Sequence, residues 1–302
     1  MILRWLCITA FWLCPLSLSP SANAAGLGAY VGNDPTRLAQ FETWLGRPVD
    51  HISAHAGRAS WSDWIGSIKW LTGVWQPLNK PIFWTIPLFA NGGNLAEAAS
   101  GAYNPHYRDA ARALASSRPQ DAVIRVRIGE EFNGNWMPWA AAGHEQEFIA
   151  AYRQFVDTFR AVSDRFRFEW NLNVGGTEMD PAKAYPGDQY VDVIGMDFYY
   201  DTAWDSRDAV IAWNHMVSRP FGLKWLEDFA AAHKRPTAYP EWGVNSDTAG
   251  PYIQNAAAWF ASHNVLYQNY WNSDAEFTGS LSDGRYPGAA AAYIASFGPT
   301  AR

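Results

Sequence analysis

A short apolar or β-branched run followed by a longer stretch of helical periodicity recurs eight times along this chain. The runs are Leu27–Val31, Val49–Ala54, Ile82–Leu88, Ala122–Ile128, Phe166–Leu172, Val191–Asp197, Pro236–Pro240 and Val265–Tyr270. Helices are expected between and after them at Pro35–Leu45, Trp61–Trp75, His106–Ser116, Glu145–Ser163, Ser206–Val217, Phe221–His233, Pro251–His263 and Gly288–Ser296. Pro35 suits a first helical turn. Ser60 with Asp63 resembles a capping box before Trp61–Trp75. Phe148, Tyr152, Phe155, Phe159 and Val162 fall on one stripe of Glu145–Ser163. Strand–helix alternation implies parallel strands joined by crossovers, and eight is the number that closes a (β/α)8 TIM barrel. A doubly wound α/β sheet normally has fewer strands and a Gly-rich phosphate loop after the first, which is absent here. The expected fold is a single α/β domain, a (β/α)8 barrel over residues 25–302.

The segment before the first run has a different character. Arg4 supplies a positive start, Trp5 to Leu18 is largely apolar, and Ala22-Asn23-Ala24 offers a small-x-small cleavage site. That pattern reads as a signal peptide over residues 1–24, too short to span a bilayer comfortably, and implies a secreted or periplasmic protein. Both cysteines, Cys7 and Cys14, lie within it. The mature protein would then have no disulfide, thiol nucleophile or thiolate metal site. The net charge of −6 deepens by one when Arg4 is lost, and no basic run argues for nucleic acid or an anionic membrane as partner. The expected state is a monomer. With 17 Trp, 14 Tyr and 16 Phe, many rings must be core, yet such abundance also suits stacking on sugar rings.

Barrel chemistry gathers just beyond the C-terminal strand ends. The fourth run leads to Glu130 and Glu131, the sixth to Asp197 and Tyr199, the seventh to Glu241 and Trp242, and the eighth to Trp271. Two carboxyl groups facing each other across the mouth are what a retaining glycosidase needs, one to protonate the leaving oxygen and one, ~5–5.5 Å away, to attack the anomeric carbon. Strand alternation sets Arg125, Arg127, Gly129 and Glu131 on one face and Val126, Ile128 and Glu130 on the other. Glu131 is therefore expected to point inward above Arg127. The same parity groups Thr237, Tyr239 and Glu241, with Tyr239 below the second carboxylate. The seven histidines show no HExxH and no HxH on a strand, so no metal or other cofactor is expected.

The segment Arg127-Ile-Gly-Glu-Glu131-Phe-Asn133-Gly134-Asn-Trp136-Met-Pro-Trp139 resembles the acid/base signature of glycoside hydrolase family 26, whose best-known members are β-mannanases. Tyr185 to Tyr199 resembles that family's sixth-strand segment, and Tyr239-Pro-Glu241-Trp-Gly243 its nucleophile strand. The resemblance implies that Glu131 is the general acid/base and Glu241 the nucleophile, acting on β-mannan first, or on a related β-glucan, β-xylan or bacterial exopolysaccharide. A non-catalytic sugar-binding barrel is the rival reading. One position departs from the pattern: the family usually has His before the acid/base, and this chain has Glu130, whose charge would raise the pKa of Glu131. Arg127, Glu130, Asn133, Trp136, Trp139, Asp197, Tyr199, Trp271 and His55 complete the expected substrate-binding set. Among them, Arg127 would keep Glu241 ionised, Trp136 and Trp139 would form sugar platforms, and Trp271 would be a stacking floor.

Overall fold

A computed structural model describes residues 24–175 and 178–299. The export segment expected at residues 1–24, both cysteines included, lies outside the described residues apart from Ala24. Strands and helices alternate in the order β1 (Gly26–Tyr30), α1 (Pro35–Leu45), β2 (Ile52–His55), α2 (Trp61–Trp75), β3 (Ile82–Ile86), α3 (Leu95–Ala99) and α4 (Asn104–Ser117). They continue through β4 (Ile124–Ile128), α5 (Glu145–Arg160), β5 (Phe166–Asn173), β6 (Val193–Tyr200), α6 (Ala209–Ser218) and α7 (Leu223–Ala232). The chain ends with β7 (Thr237–Val244), α8 (Gly250–Ser262), β8 (Val265–Trp271) and α9 (Pro287–Phe297). All eight strands run parallel in one sheet ordered β1-β8-β7-β6-β5-β4-β3-β2, so the fold is the (β/α)8 barrel the alternation implied.

Local chemistry sets the helix starts. Asp34 caps α1 by accepting from the amides of Thr36 and Arg37, with Pro35 in the first turn. Ser60 caps α2 through the amide of Asp63, and Asp208 caps α6 through Val210 and Ile211. The α5 stripe of Phe148, Tyr152, Phe155 and Phe159 is wholly buried, with Phe155 and Phe159 packed edge-on against Phe168 and Phe166 of β5. Most apolar burial lies in this outer layer between sheet and helices. No helix among the described residues is long and apolar enough to cross a membrane.

The barrel interior is different, because it is filled largely by polar side chains. His51 bonds Asn269 at 2.6 Å and stacks on Phe83 at 4.0 Å, while Tyr267 donates to Glu169. Gly28 makes room for this layer: a Cβ there would collide with Asn269 Oδ1 and His51 Nε2. The first and last strands in the sheet order, β1 and β2, share no continuous ladder. Their seam is clasped instead by individual bonds. The Asp50 amide donates to Leu27 O at 2.7 Å, the Leu27 amide to Asp50 at 2.8 Å, and Asn33 exchanges two bonds with the backbone of His55.

Candidate active site

Arg127 projects inward from β4, almost wholly buried, and every nitrogen of its guanidinium has an assigned acceptor. Nε donates to Thr85 on β3 at 3.0 Å, Nη1 to Asp197 on β6 at 2.7 Å, and Nη2 to Glu241 on β7. Asp197 in turn accepts from Asn171 of β5 at 3.1 Å. One planar fork thus fixes three strands relative to one another. Glu241 takes a second bond, 2.7 Å, from the hydroxyl of Tyr199 on β6. Burial is the largest single influence and would raise its pKa, but the charge and hydrogen bond of Arg127, with the Tyr199 hydroxyl and the neighbouring His55, together outweigh it and hold the Glu241 carboxyl below the usual carboxylate range. His55, at the end of β2, lies with Nδ1 3.9 Å from Glu241. Burial lowers its pKa to about 3, so the imidazole is neutral and the contact is no ion pair.

Glu131 reaches the mouth by a turn rather than by strand alternation. β4 ends at Ile128, and both Gly129 (φ 55°) and Glu131 (φ 54°) adopt left-handed backbone. For a non-glycine residue that conformation costs on the order of 1–3 kcal/mol. It is held by the Glu131 amide donating to Asn171 O at 3.1 Å and by Gly134 N donating to Glu131 O at 3.0 Å. The carboxyl accepts from Trp136 Nε1 at 2.5 Å through one oxygen and from Asn173 Nδ2 at 2.6 Å through the other. Burial, then the charge of Glu241, push its pKa up to about 7 against these two donors. Glu130, expected to be the cause of such a rise, is not among the groups that set it. Its own carboxyl is buried, one oxygen lacks a hydrogen-bond partner, and burial raises its pKa.

Beside Glu241 stands a group of packed aromatic rings. Trp271, at the end of β8, stacks on Tyr30 of β1 at 4.2 Å, and His55 tilts against Tyr30 at 4.4 Å. Tyr199 stands edge-on to Trp271 at 6.4 Å. Trp136 lies at the rim, 47% exposed. No three metal-ligating side chains gather among the described residues.

Three further expectations need correction. Trp139 is fully buried: its indole donates to Glu130 O at 2.7 Å and its ring meets Phe89 edge-on, so it supports the loop that carries Glu131 and offers no sugar platform. Asn133 is buried too, and exchanges two 2.8 Å bonds with the backbone of Asn173, tying that loop to β5 rather than facing the cleft. Tyr239 does not lie below Glu241. It points outward, donating to Glu227 of α7 at 2.6 Å and accepting from Trp259 of α8 at 2.7 Å. The cause is an irregularity in β7 between Tyr239 and Trp242, around Pro240, which breaks the alternation and turns Glu241 inward although Thr237 and Tyr239 face out.

Asn171, Asn173 and Tyr30 belong to the site and were not anticipated. The signal for the first two is present in β5, where Arg167, Glu169, Asn171 and Asn173 alternate with Phe166, Phe168, Trp170 and Leu172. A polar alternate face inside a barrel is the mark of a strand that feeds the mouth.

Comparison with known proteins bears on the family and on the fold. A mannan endo-1,4-beta-mannosidase of Bifidobacterium adolescentis is 32% identical over 145 residues, covering 46% of this chain and 14% of that protein. Endoglucanase H of Acetivibrio thermocellus is 27% identical over 224 residues, covering 65% of this chain and 23% of that protein. The chain therefore spans less than a quarter of the length of either relative. Among solved structures, the catalytic domain of an endo-beta-1,4-mannanase from Bacillus sp. JAMB-750 superposes with a TM-score of 0.63 at 18% identity, over 83% of this chain and 78% of that one. That likeness concerns the fold. The family model for glycosyl hydrolase family 26 matches residues 109–276, more than half of the chain and a span that holds both Glu131 and Glu241, and the chain belongs to that family.

Proposed function

We propose that this protein is an exported, retaining endo-β-glycanase, with β-1,4-mannan its first substrate. The observation that carries the reading is a pair of carboxyl groups whose surroundings drive their protonation apart. Glu241, gripped by Arg127 and Tyr199, stays ionised, while burial and the charge of Glu241 keep Glu131 protonated up to about pH 7.

In the first step Glu241 attacks the anomeric carbon as the glycosidic C–O bond breaks, and Glu131 gives its proton to the departing oxygen. Glu131, now a carboxylate, then removes a proton from water as the water oxygen attacks the same carbon and releases Glu241. Two inversions leave net retention. The donors Trp136 and Asn173 stabilise Glu131 in its ionised, base-competent form between the two steps. The wall of Trp271 and Tyr30 supplies an apolar face beside the reacting ring. This chemistry asks for no cofactor and no metal. The acidic balance of the chain supports a neutral polysaccharide rather than nucleic acid or an anionic membrane as partner. The endoglucanase relative makes β-glucan the second substrate to try.

The test is product release from β-mannan, β-glucan, β-xylan and bacterial exopolysaccharides by the wild type and by Glu241→Ala, with the anomeric configuration of the first product followed by proton NMR. Cleavage of one glycan with retention, abolished in the variant while binding persists, supports the reading. Equal binding by both proteins with no cleavage leaves a sugar-binding barrel, and inversion refutes the nucleophile role of Glu241. Export is tested separately by the N-terminal sequence of the protein recovered outside the cytoplasm.

A further inference from the structure

The most exposed large apolar side chain of the described residues is Trp204, at 88%. It sits in the connection from β6 to α6, at the same end of the barrel as Glu131 and Glu241. β6 carries Tyr199, whose hydroxyl holds Glu241, and Trp204 follows five residues later. The Trp204 amide donates to Asp201 O at 2.9 Å, which closes a turn. Its Cα is therefore no more than about 14 Å from that of Tyr199.

The connection that presents this ring is rigidly built. Asn245, just beyond β7, donates to Asp201 at 2.8 Å and accepts from the Thr202 amide at 3.0 Å. Asp201 also accepts from the Ala203 amide at 2.9 Å, the Asp205 side chain accepts from the Asp201 amide at 3.1 Å, and the Tyr200 hydroxyl donates to Ser206 O at 3.0 Å. A bare tryptophan on a mobile loop loses much of what it gains on binding to ordering, whereas a ring on a pre-set loop does not. Further along the chain, Val210 and Ile211 in the first turn of α6 are also exposed, at 46% and 58%. The charges of the connection are Asp201, Asp205 and Asp208 against Arg207 alone, which disfavours an anionic lipid surface or nucleic acid. A flat apolar ring set among hydrogen-bond acceptors matches a pyranose, whose C–H face stacks while its hydroxyls donate.

We propose that Trp204 is a rim platform that stacks on a sugar ring of the polysaccharide a few units away from the bond being cleaved. It holds long chains on the enzyme and is not needed for short ones. This rests on the glycanase reading above. Covering about 60 Å2 of the ring at ~25 cal/mol per Å2 corresponds to about tenfold in affinity.

The experiment compares wild type with Trp204→Ala and Trp204→Phe on β-1,4-mannan or β-glucan, whichever is cleaved, and on short oligosaccharides of the same linkage. Pull-down of the same proteins in the Glu241→Ala background on the insoluble polymer, and molar mass by light scattering, complete the set. The expected result is a KM for polymer about tenfold higher in Trp204→Ala, largely restored in Trp204→Phe, with kcat on the short substrate unchanged and weaker pull-down of the Ala variant. Unchanged KM and pull-down on polymer overturn the proposal while leaving the glycanase reading intact. So does a fall from dimer to monomer in the Ala variant, which would assign the patch to contact between copies. Absence of cleavage by the wild type overturns the glycanase reading itself, and the pull-down arm still reports on Trp204.

Discussion

Replacing Trp136 by phenylalanine removes one hydrogen-bond donor from Glu131, the proposed acid, and keeps most of the ring. The bond is 2.5 Å long and ends on a carboxyl oxygen, the geometry of a charge-assisted contact. Such bonds are worth about 1.5–3 kcal/mol to the ionised partner when buried. Trp136 is 47% exposed, so water takes over part of the lost donation, and about 1.4 kcal/mol remains, equal to one pH unit. The bond favours the carboxylate, so its loss raises the pKa of Glu131 from about 7 by about one unit. A general acid works when protonated, and the alkaline limb of kcat/KM against pH should therefore move up by about one unit in Trp136→Phe. Near pH 5 Glu131 is protonated in both proteins and the profiles should differ little in shape, whereas at pH 8 the protonated fraction rises about fivefold. The acid limb, set by Glu241, should not move. Trp136→Ala, measured beside it, should show the same alkaline shift together with a raised KM, which separates the donor from the platform. An alkaline limb that stays in place, or moves down, would refute the idea that the indole tunes the acid.

Three further outcomes follow from the same geometry. Glu131→Gln should stabilise the fold at pH 8 by about 3 kcal/mol and scarcely at all below pH 4.5, because a carboxyl whose folded pKa of about 7 exceeds its usual 4.5 loses stability as pH rises through that window; calorimetry at the two pH values checks it. Trp139→Phe should cost about 1–3 kcal/mol in urea unfolding by orphaning the carbonyl of Glu130, with KM unchanged, and a raised KM would mean that Trp139 touches sugar after all. Gly28→Ala should destabilise by at least about 1–3 kcal/mol, because its methyl group would displace the His51–Asn269 pair inside the barrel, and a melting temperature equal to wild type would contradict that packing.

The barrel was legible because strand and helix periodicities differ and alternate eight times, a pattern that few other folds can satisfy. The proposed catalytic pair stands out in the sequence for a related reason: the C-terminal ends of β4 and β7 are places where a charged side chain has little else to do. What escaped was local. Strict alternation predicts the wrong neighbours for Glu241, since the irregularity around Pro240 in β7 adds a residue that no period-two count registers. Trp136 and Trp139 share one short loop and one residue type, yet one lies at the rim and the other is buried beneath it; only the path of the backbone, set by Gly129 and Glu131 at positive φ, separates them. Asn173 was lost by ending β5 at Leu172, one residue early. The short α3 is too brief to show a period in the sequence.

The clasped seam between β1 and β2 gives the barrel the mechanics of a split ring. Strand pairs elsewhere share a ladder, so parting them means breaking several bonds together, whereas here a few isolated bonds, two of them from the Asn33 side chain, carry the closure. Amides along this line should exchange with solvent ahead of those in β4 to β7, and the ring should spring open there first under heat or denaturant. His55 stands on that line, with one side of its residue held by Asn33 and its imidazole beside Glu241. The place where the cylinder is weakest is also within reach of Glu241, the proposed nucleophile, so loss of activity on warming should precede loss of the remaining sheet.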